Sequence, residues 1–173
     1  MYDLRILTEC YIDTLLVESI VPPQKGYNHQ HNCHKVLDTM QTKLQNVAAL
    51  GVIDDDKKQK LNNFSLLKPH NQLAIYKHDD EPHYIIIISK AAEDFILKNA
   101  ERCNIALSDY DLPTDLNELR KITKREKSVR GVQTKFKKLF STLKQNQHSD
   151  FHTLAKWIEQ FKATPYDLNA NSL

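Results

Sequence analysis

The chain has 173 residues, 40% of them hydrophobic and 27% charged, with a formal net charge of +2. That balance is ordinary for one globular domain and excludes general disorder. No run of about 18 apolar residues is present, and no basic segment leads into an apolar stretch with a cleavage site, so a cytoplasmic protein without membrane contact is expected. Three scattered cysteines, Cys10, Cys33 and Cys103, do not make a disulfide framework and are expected as reduced thiols.

Taken in chain order, residues 3–8 read as a short aliphatic strand, and Ile12, Leu15, Leu16 and Ile20 then recur with helical spacing. Residues 21–33, "VPPQKGYNHQHNC", combine paired prolines, a glycine and polar side chains and read as a loop. "HKVLDTMQTKLQN" places Val36, Met40 and Leu44 on one helical face. "VAALGVI", residues 47–53, is a continuous apolar run of the kind expected for a strand buried on both faces, and it stops at three aspartates. Residues 73–89 read as two strands around an acidic turn. Helices follow at "AAEDFILKNAERC", at "TDLNELRKITK" with Thr114 or Asp115 as its cap, at "KFKKLFSTLKQ" and at "FHTLAKWIEQF". Trp157 lies at core spacing in the last of these. Strands joined by helices in the first half predict an α/β fold with at least two parallel strands and a helical C-terminal segment. The expected layout is an α/β domain over residues 1–112, a basic helical extension packed on it over 113–165, and a flexible tail over 166–173.

Charge is unevenly distributed along this layout. Residues 1–117 hold 12 Lys and Arg against 17 Asp and Glu, whereas residues 118–144 hold 10 against 2. An acidic front joined to a basic helical segment is suited to metal-binding carboxylates beside a surface for a polyanion. The competing reading is a solvated, lysine-rich helix face.

Two acidic clusters end two expected strands: Glu9 with Asp13 after the first, and Asp54, Asp55 and Asp56 after "LGVI". If those strands are parallel neighbours, the clusters converge at one sheet edge. Close carboxylates repel by about 4 kcal/mol per pair at an effective dielectric near 20, so a cation is expected between them. Oxygen-preferring divalent ions meet that need and commonly bridge protein carboxylates to phosphate.

A strand followed by Glu, three residues, Asp and a helix, and later a strand ending in Asp-x-Asp, resembles the Toprim fold of primases, topoisomerases and OLD-type nucleases. "ILTECYID" and "LGVIDDD" carry the resemblance, and "SKAAEDFIL" is similar to a later OLD-like segment in which Glu93 is the acidic residue. Two departures are Cys10, where many Toprim sequences have Gly, and the lysines after Asp56, where primases have Gly. The resemblance implies a Mg²⁺- or Mn²⁺-dependent nuclease. Asp54, Asp56 and either Glu9 or Asp13 would hold the ion, Glu93 would complete a second metal site, and Glu9 and Asp13 would be the catalytic residues, with Glu9 transferring protons. It also implies a nucleic-acid substrate, DNA ahead of RNA, contacted by Lys121, Lys124, Arg125 and Lys135. A separate ATPase or phage-defence or toxin-like protein would be its partner. The alternative is a Toprim-like binding or assembly module without catalysis.

Other chemistries are less well supported by the residues. His29, His31, Cys33 and His34 are all zinc-binding types, but they crowd into six positions with no second pair elsewhere. Cys33 as a nucleophile lacks a nameable oxyanion hole or orienting residue. No Gly-rich phosphate loop is present, which argues against an intrinsic ATPase.

Overall fold

The aliphatic runs of the front half assemble into one six-stranded mixed sheet, with the C-terminal helices laid on it. The computed structural model describes residues 3–55, 61–171 and 173. Its strands are β1 (Asp3–Thr8), β2 (Tyr27–His29), β3 (Ala49–Asp54), β4 (Phe64–His70), β5 (Leu73–His78) and β6 (His83–Ile88), in the order β2-β1-β3-β6-β5-β4. The first four are parallel, while β5 and β4 run antiparallel beside β6. The helices are α1 (Tyr11–Ile20), α2 (Cys33–Lys43), α3 (Ala92–Arg102), α4 (Leu116–Thr123), α5 (Glu126–Gln145) and α6 (Asp150–Ala163). The fold is α/β, Rossmann-like, with a helical C-terminal part.

Alternation along the strands divides the core into two layers. Leu7, Ala49, Ile53 and Ile85 meet Cys33, Val36 and Met40 of α2 on one face. Ile6, Leu50, Val52, Tyr84 and Ile86 share the other face with α1, α3, α5 and α6. From α5, Phe136, Leu139, Phe140 and Leu143 are fully buried, each contributing about 1.5–3 kcal/mol through apolar burial. The helices of residues 113–165 therefore share one core with the sheet. Asp150 ties this layer together: its buried carboxylate accepts from Arg102 of α3 at 2.8 Å and from Asn71 of the β4–β5 turn at 2.9 Å. Among the described residues, no helix is long and apolar enough to cross a membrane.

Two readings of the sequence need correction, and one strand lies where the sequence suggested no element. The loop of residues 21–33 contains β2, whose three residues, Tyr27, Asn28 and His29, pair with β1 but are too few to leave an alternating side-chain pattern to read. β4, "FSLLKPH", is an edge strand whose exposed positions carry Ser65, Leu66, Pro69 and His70, and Pro69 suits only an edge. Residues expected as a flexible tail are packed in part: Leu168 lies in the larger core, and the Tyr84 hydroxyl donates to the Tyr166 carbonyl at 3.4 Å.

The close approach of α2 to the sheet depends on Gly51. A Cβ there would stand 2.6 Å from Ile85 Cδ1 and 2.8 Å from Val36 Cγ1, well inside contact distance. Gly51→Val should lower stability by about 1–3 kcal/mol despite valine's strand preference, because Val36 is stiff at χ1 and cannot swing away. Urea unfolding would show this as a lower midpoint with an unchanged m value.

Candidate active site

The chain leaves β1 toward β2 on one side of the sheet and reaches β3 on the other side of β1. This reversal is a topological switch point, where the carboxyl ends of neighbouring parallel strands open a crevice suited to ligands. The pairs Ile6 with Leu50, Leu7 with Gly51 and Thr8 with Val52 bring the ends of β1 and β3 level. Glu9 and Asp54 consequently emerge side by side at that crevice.

Backbone amides hold the acids in place. The Asp54 N–H donates to Glu9 Oε2 at 3.2 Å, the Cys10 N–H to Asp13 Oδ2 at 3.1 Å, and the Ala92 N–H to Asp54 Oδ2 at 3.3 Å. Asp13 sits at the third position of α1, where its carboxylate satisfies one of the amides left over at a helix start. α3 has Ala91 as its N-cap and no cap of its own, so Asp54, arriving from β3, supplies the missing acceptor. The turn into α3 places Lys90 at a positive φ of 68°, a costly conformation for a residue with a side chain. Glu93, in the first turn of α3, accepts the Thr123 hydroxyl and thereby anchors α4 over the crevice.

The result is a cleft of about 440 Å³ with opposite charges on its walls. Glu9, Asp54 and Glu93 supply the acidic side, and Arg120 and Lys124 of α4 the basic side, with Tyr11 at the rim. Glu9 and Glu93 are only 8% and 9% exposed. Asp13 is fully buried behind them, and its Oδ1, like Asp54 Oδ1, has no hydrogen-bond partner among the described residues. Burial pushes the Asp13 carboxyl up to about 7, and the nearby Glu9 and Glu93 charges add to the effect. Asp54 is pushed up to about 10 by burial and then by Asp13. Burial and Asp13 also push the Cys10 thiol well above its usual range, so it stays protonated.

The expected site residues divide accordingly. Glu9, Asp13, Asp54 and Glu93 are brought together, while Asp56 lies outside the described residues. Lys124 reaches the cleft. Lys121 instead points to solvent and pairs with Glu118 at 2.6 Å, since successive residues of a helix diverge by about 100°. Arg125 caps α5 and is exposed, and Lys135 is held by Asp111 at 3.6 Å. Arg120 and Thr123 were not singled out by the sequence. Their only signal is spacing, because residues 120, 123 and 124 share one face of α4.

The histidine-rich stretch does not form a zinc centre. Cys33 is buried in the α2 layer, His34 is exposed, and His29 stacks on Tyr11 with ring centroids 4.1 Å apart. Burial of Cys33 among Val36, Met40 and Ile53 also removes it as a nucleophile.

Among the described residues, no three His, Cys, Asp or Glu side chains form a group able to hold a metal ion by themselves. Mg²⁺ does not need such a cage, because it commonly takes one or two carboxylates and completes its shell with water and phosphate. Asp54 fits that role, with a buried oxygen that has no hydrogen-bond partner among the described residues, and Glu9 stands beside it.

Both aspartates bind a proton more tightly folded than unfolded, so their favourable contribution is complete at low pH and is lost as pH rises. The loss runs through about 7 for Asp13 and about 10 for Asp54. In EDTA, stability should therefore fall between pH 5 and pH 8, on the order of 1 kcal/mol per unit. Asp54→Asn should flatten the fall, and added Mg²⁺ should reverse it in the wild type. Thermal midpoints across that range check both outcomes.

Compared with models of protein families, with curated proteins and with solved structures, the chain gives no match.

Proposed function

We propose that this cleft hydrolyses phosphodiesters of nucleic acid, DNA ahead of RNA, with Mg²⁺ or Mn²⁺, in the manner of small Toprim nucleases. The observation that carries this reading is the convergence of Glu9, Asp13, Asp54 and Glu93 at the switch point, with Arg120 and Lys124 facing them. Mutually repelling acids are costly to maintain in a half-buried crevice, and a cation with a bound phosphate offsets that cost.

Asp54 and Glu9 would hold the ion, with Asp56 completing the Asp-x-Asp pair that the resemblance implies. Such an ion neutralises phosphate charge and makes bound water a stronger nucleophile near neutral pH. Glu9, fixed by the Asp54 amide, is placed to take or give a proton at the reacting oxygen. Arg120 and Lys124 approach from the other wall, where they would bind non-bridging phosphate oxygens. Asp13 positions the start of α1 through the Cys10 amide and adds negative charge behind Glu9. A separate ATPase or defence-system protein as partner follows from the Toprim resemblance alone.

One observation favours a second reading, a binding module without catalysis. Asp13 has a structural task as a helix-start acceptor, so its presence does not by itself require chemistry. Activity separates the two readings. With Mg²⁺ or Mn²⁺, the wild type should cut plasmid, single-stranded DNA or RNA, and Glu9→Gln and Asp54→Asn should each lose about 100-fold or more. Equal activity in all three proteins would sink the nuclease assignment.

A further inference from the structure

Two features of the molecule limit what the cleft can accept. The first is depth. Glu9 and Glu93 in its acidic floor are less than a tenth exposed, and the start of α1 and the side of α4 wall it in. A volume of about 440 Å³ admits a group of roughly nucleotide size. A duplex presents its phosphates on a stiff convex rod, and enzymes facing this problem act on unpaired strands or extrude the target nucleotide.

The second feature is what lies beyond the cleft. α5 begins two residues after Lys124 and runs for 20 residues, roughly 30 Å. Its apolar face is buried, and its solvent face carries Lys127 and Lys138, both exposed and without an ion pair among the described residues. By contrast, Arg130 is paired with Glu126 and Lys144 with Glu159. At the junction of cleft and helix stands Tyr11, its ring stacked on His29 and bordering the same hollow as Glu126 at the start of α5. Cationic tracks with an aromatic side chain beside them are the usual equipment for holding unpaired strands, whose bases are free to stack.

We infer that the substrate is an unpaired polynucleotide strand, one phosphate lowered into the cleft and the neighbouring phosphates following the solvent face of α5 past Lys127 and Lys138. This inference rests on the phosphodiesterase reading above and names the substrate's form. DNA and RNA strands share the chemistry that the track recognises.

The test measures binding of an unpaired DNA strand, an unpaired RNA strand and a DNA duplex of the same sequence across a salt series in Ca²⁺. Hydrolysis of bis(p-nitrophenyl) phosphate by the wild type is followed separately in Mg²⁺ and Mn²⁺. At least one unpaired strand should bind tenfold or more tightly than the duplex. Lys127→Gln/Lys138→Gln, changed only at exposed positions, should keep its thermal midpoint while the slope of log affinity against log salt shrinks by about 1.4, or about 0.7 per lost contact. Duplex binding as tight as strand binding overturns the inference, as does an unchanged slope in the double variant. Hydrolysis of the small diester with no strand bound also overturns it but leaves the cleft's chemistry standing. Failure of both diester hydrolysis and strand binding removes the phosphodiesterase reading itself.

Discussion

The parallel pairing of β1 with β3 is the constraint from which the rest of the site follows. Because the two strands run in the same direction and in level register, the residues that follow their apolar cores must come out together, and both are acids. A sheet cannot separate them without breaking its ladder. What the fold does instead is give each acid a backbone amide: Asp54 N–H for Glu9, Cys10 N–H for Asp13, Ala92 N–H for Asp54. Those bonds favour the charged forms, while burial and mutual repulsion oppose them, and the opposition wins for the two aspartates. The fold thus holds the two aspartates toward their protonated forms.

Much of this arrangement was legible in the sequence, for a physical reason. Strands buried on both faces must be apolar throughout, so "ALGVI" and "HYIIII" declare themselves, and an acid after such a run can only lie at its end. Edge strands carry no such demand: β2 has three residues and β4 mixes Lys68 and Pro69 with its leucines, so neither stands out. α5 starts nine residues before the pattern at "KFKKLF", because its first half meets the core through little more than Val129 and Val132. Arg120 was hidden for a different reason. It belongs to the site only because Thr123 bonds Glu93, a contact across thirty positions that no local periodicity encodes.

Cys10 shows how a sequence departure can be weighed by geometry. The Toprim pattern often has glycine there, which would matter if the turn from β1 into α1 required a positive φ. Residue 10 has φ of −138° and ψ of 177°, extended backbone that any residue adopts. A side chain at this position carries no conformational penalty, and the half-buried thiol packs against the larger core. The departure therefore costs the resemblance little at the level of backbone, and the resemblance stands or falls on the acids.

The basic segment can be weighed in the same way. A solvated lysine-rich face would account for cations that sit in surface ion pairs, each worth about 1 kcal/mol or less. Four of the ten basic residues in 118–144 are of that kind: Lys121, Arg130, Lys135 and Lys144. The other six, Arg120, Lys124, Arg125, Lys127, Lys137 and Lys138, have no acidic partner among the described residues. Two of them line the cleft and the rest belong to the helix leading away from it. Positive charge left unneutralised beside a crowded set of carboxylates would ordinarily be drawn into pairs with them. α4 instead carries Arg120 and Lys124 into the cleft that Glu9, Asp54 and Glu93 also line, so both signs of charge border one space without an ion pair between them among the described residues.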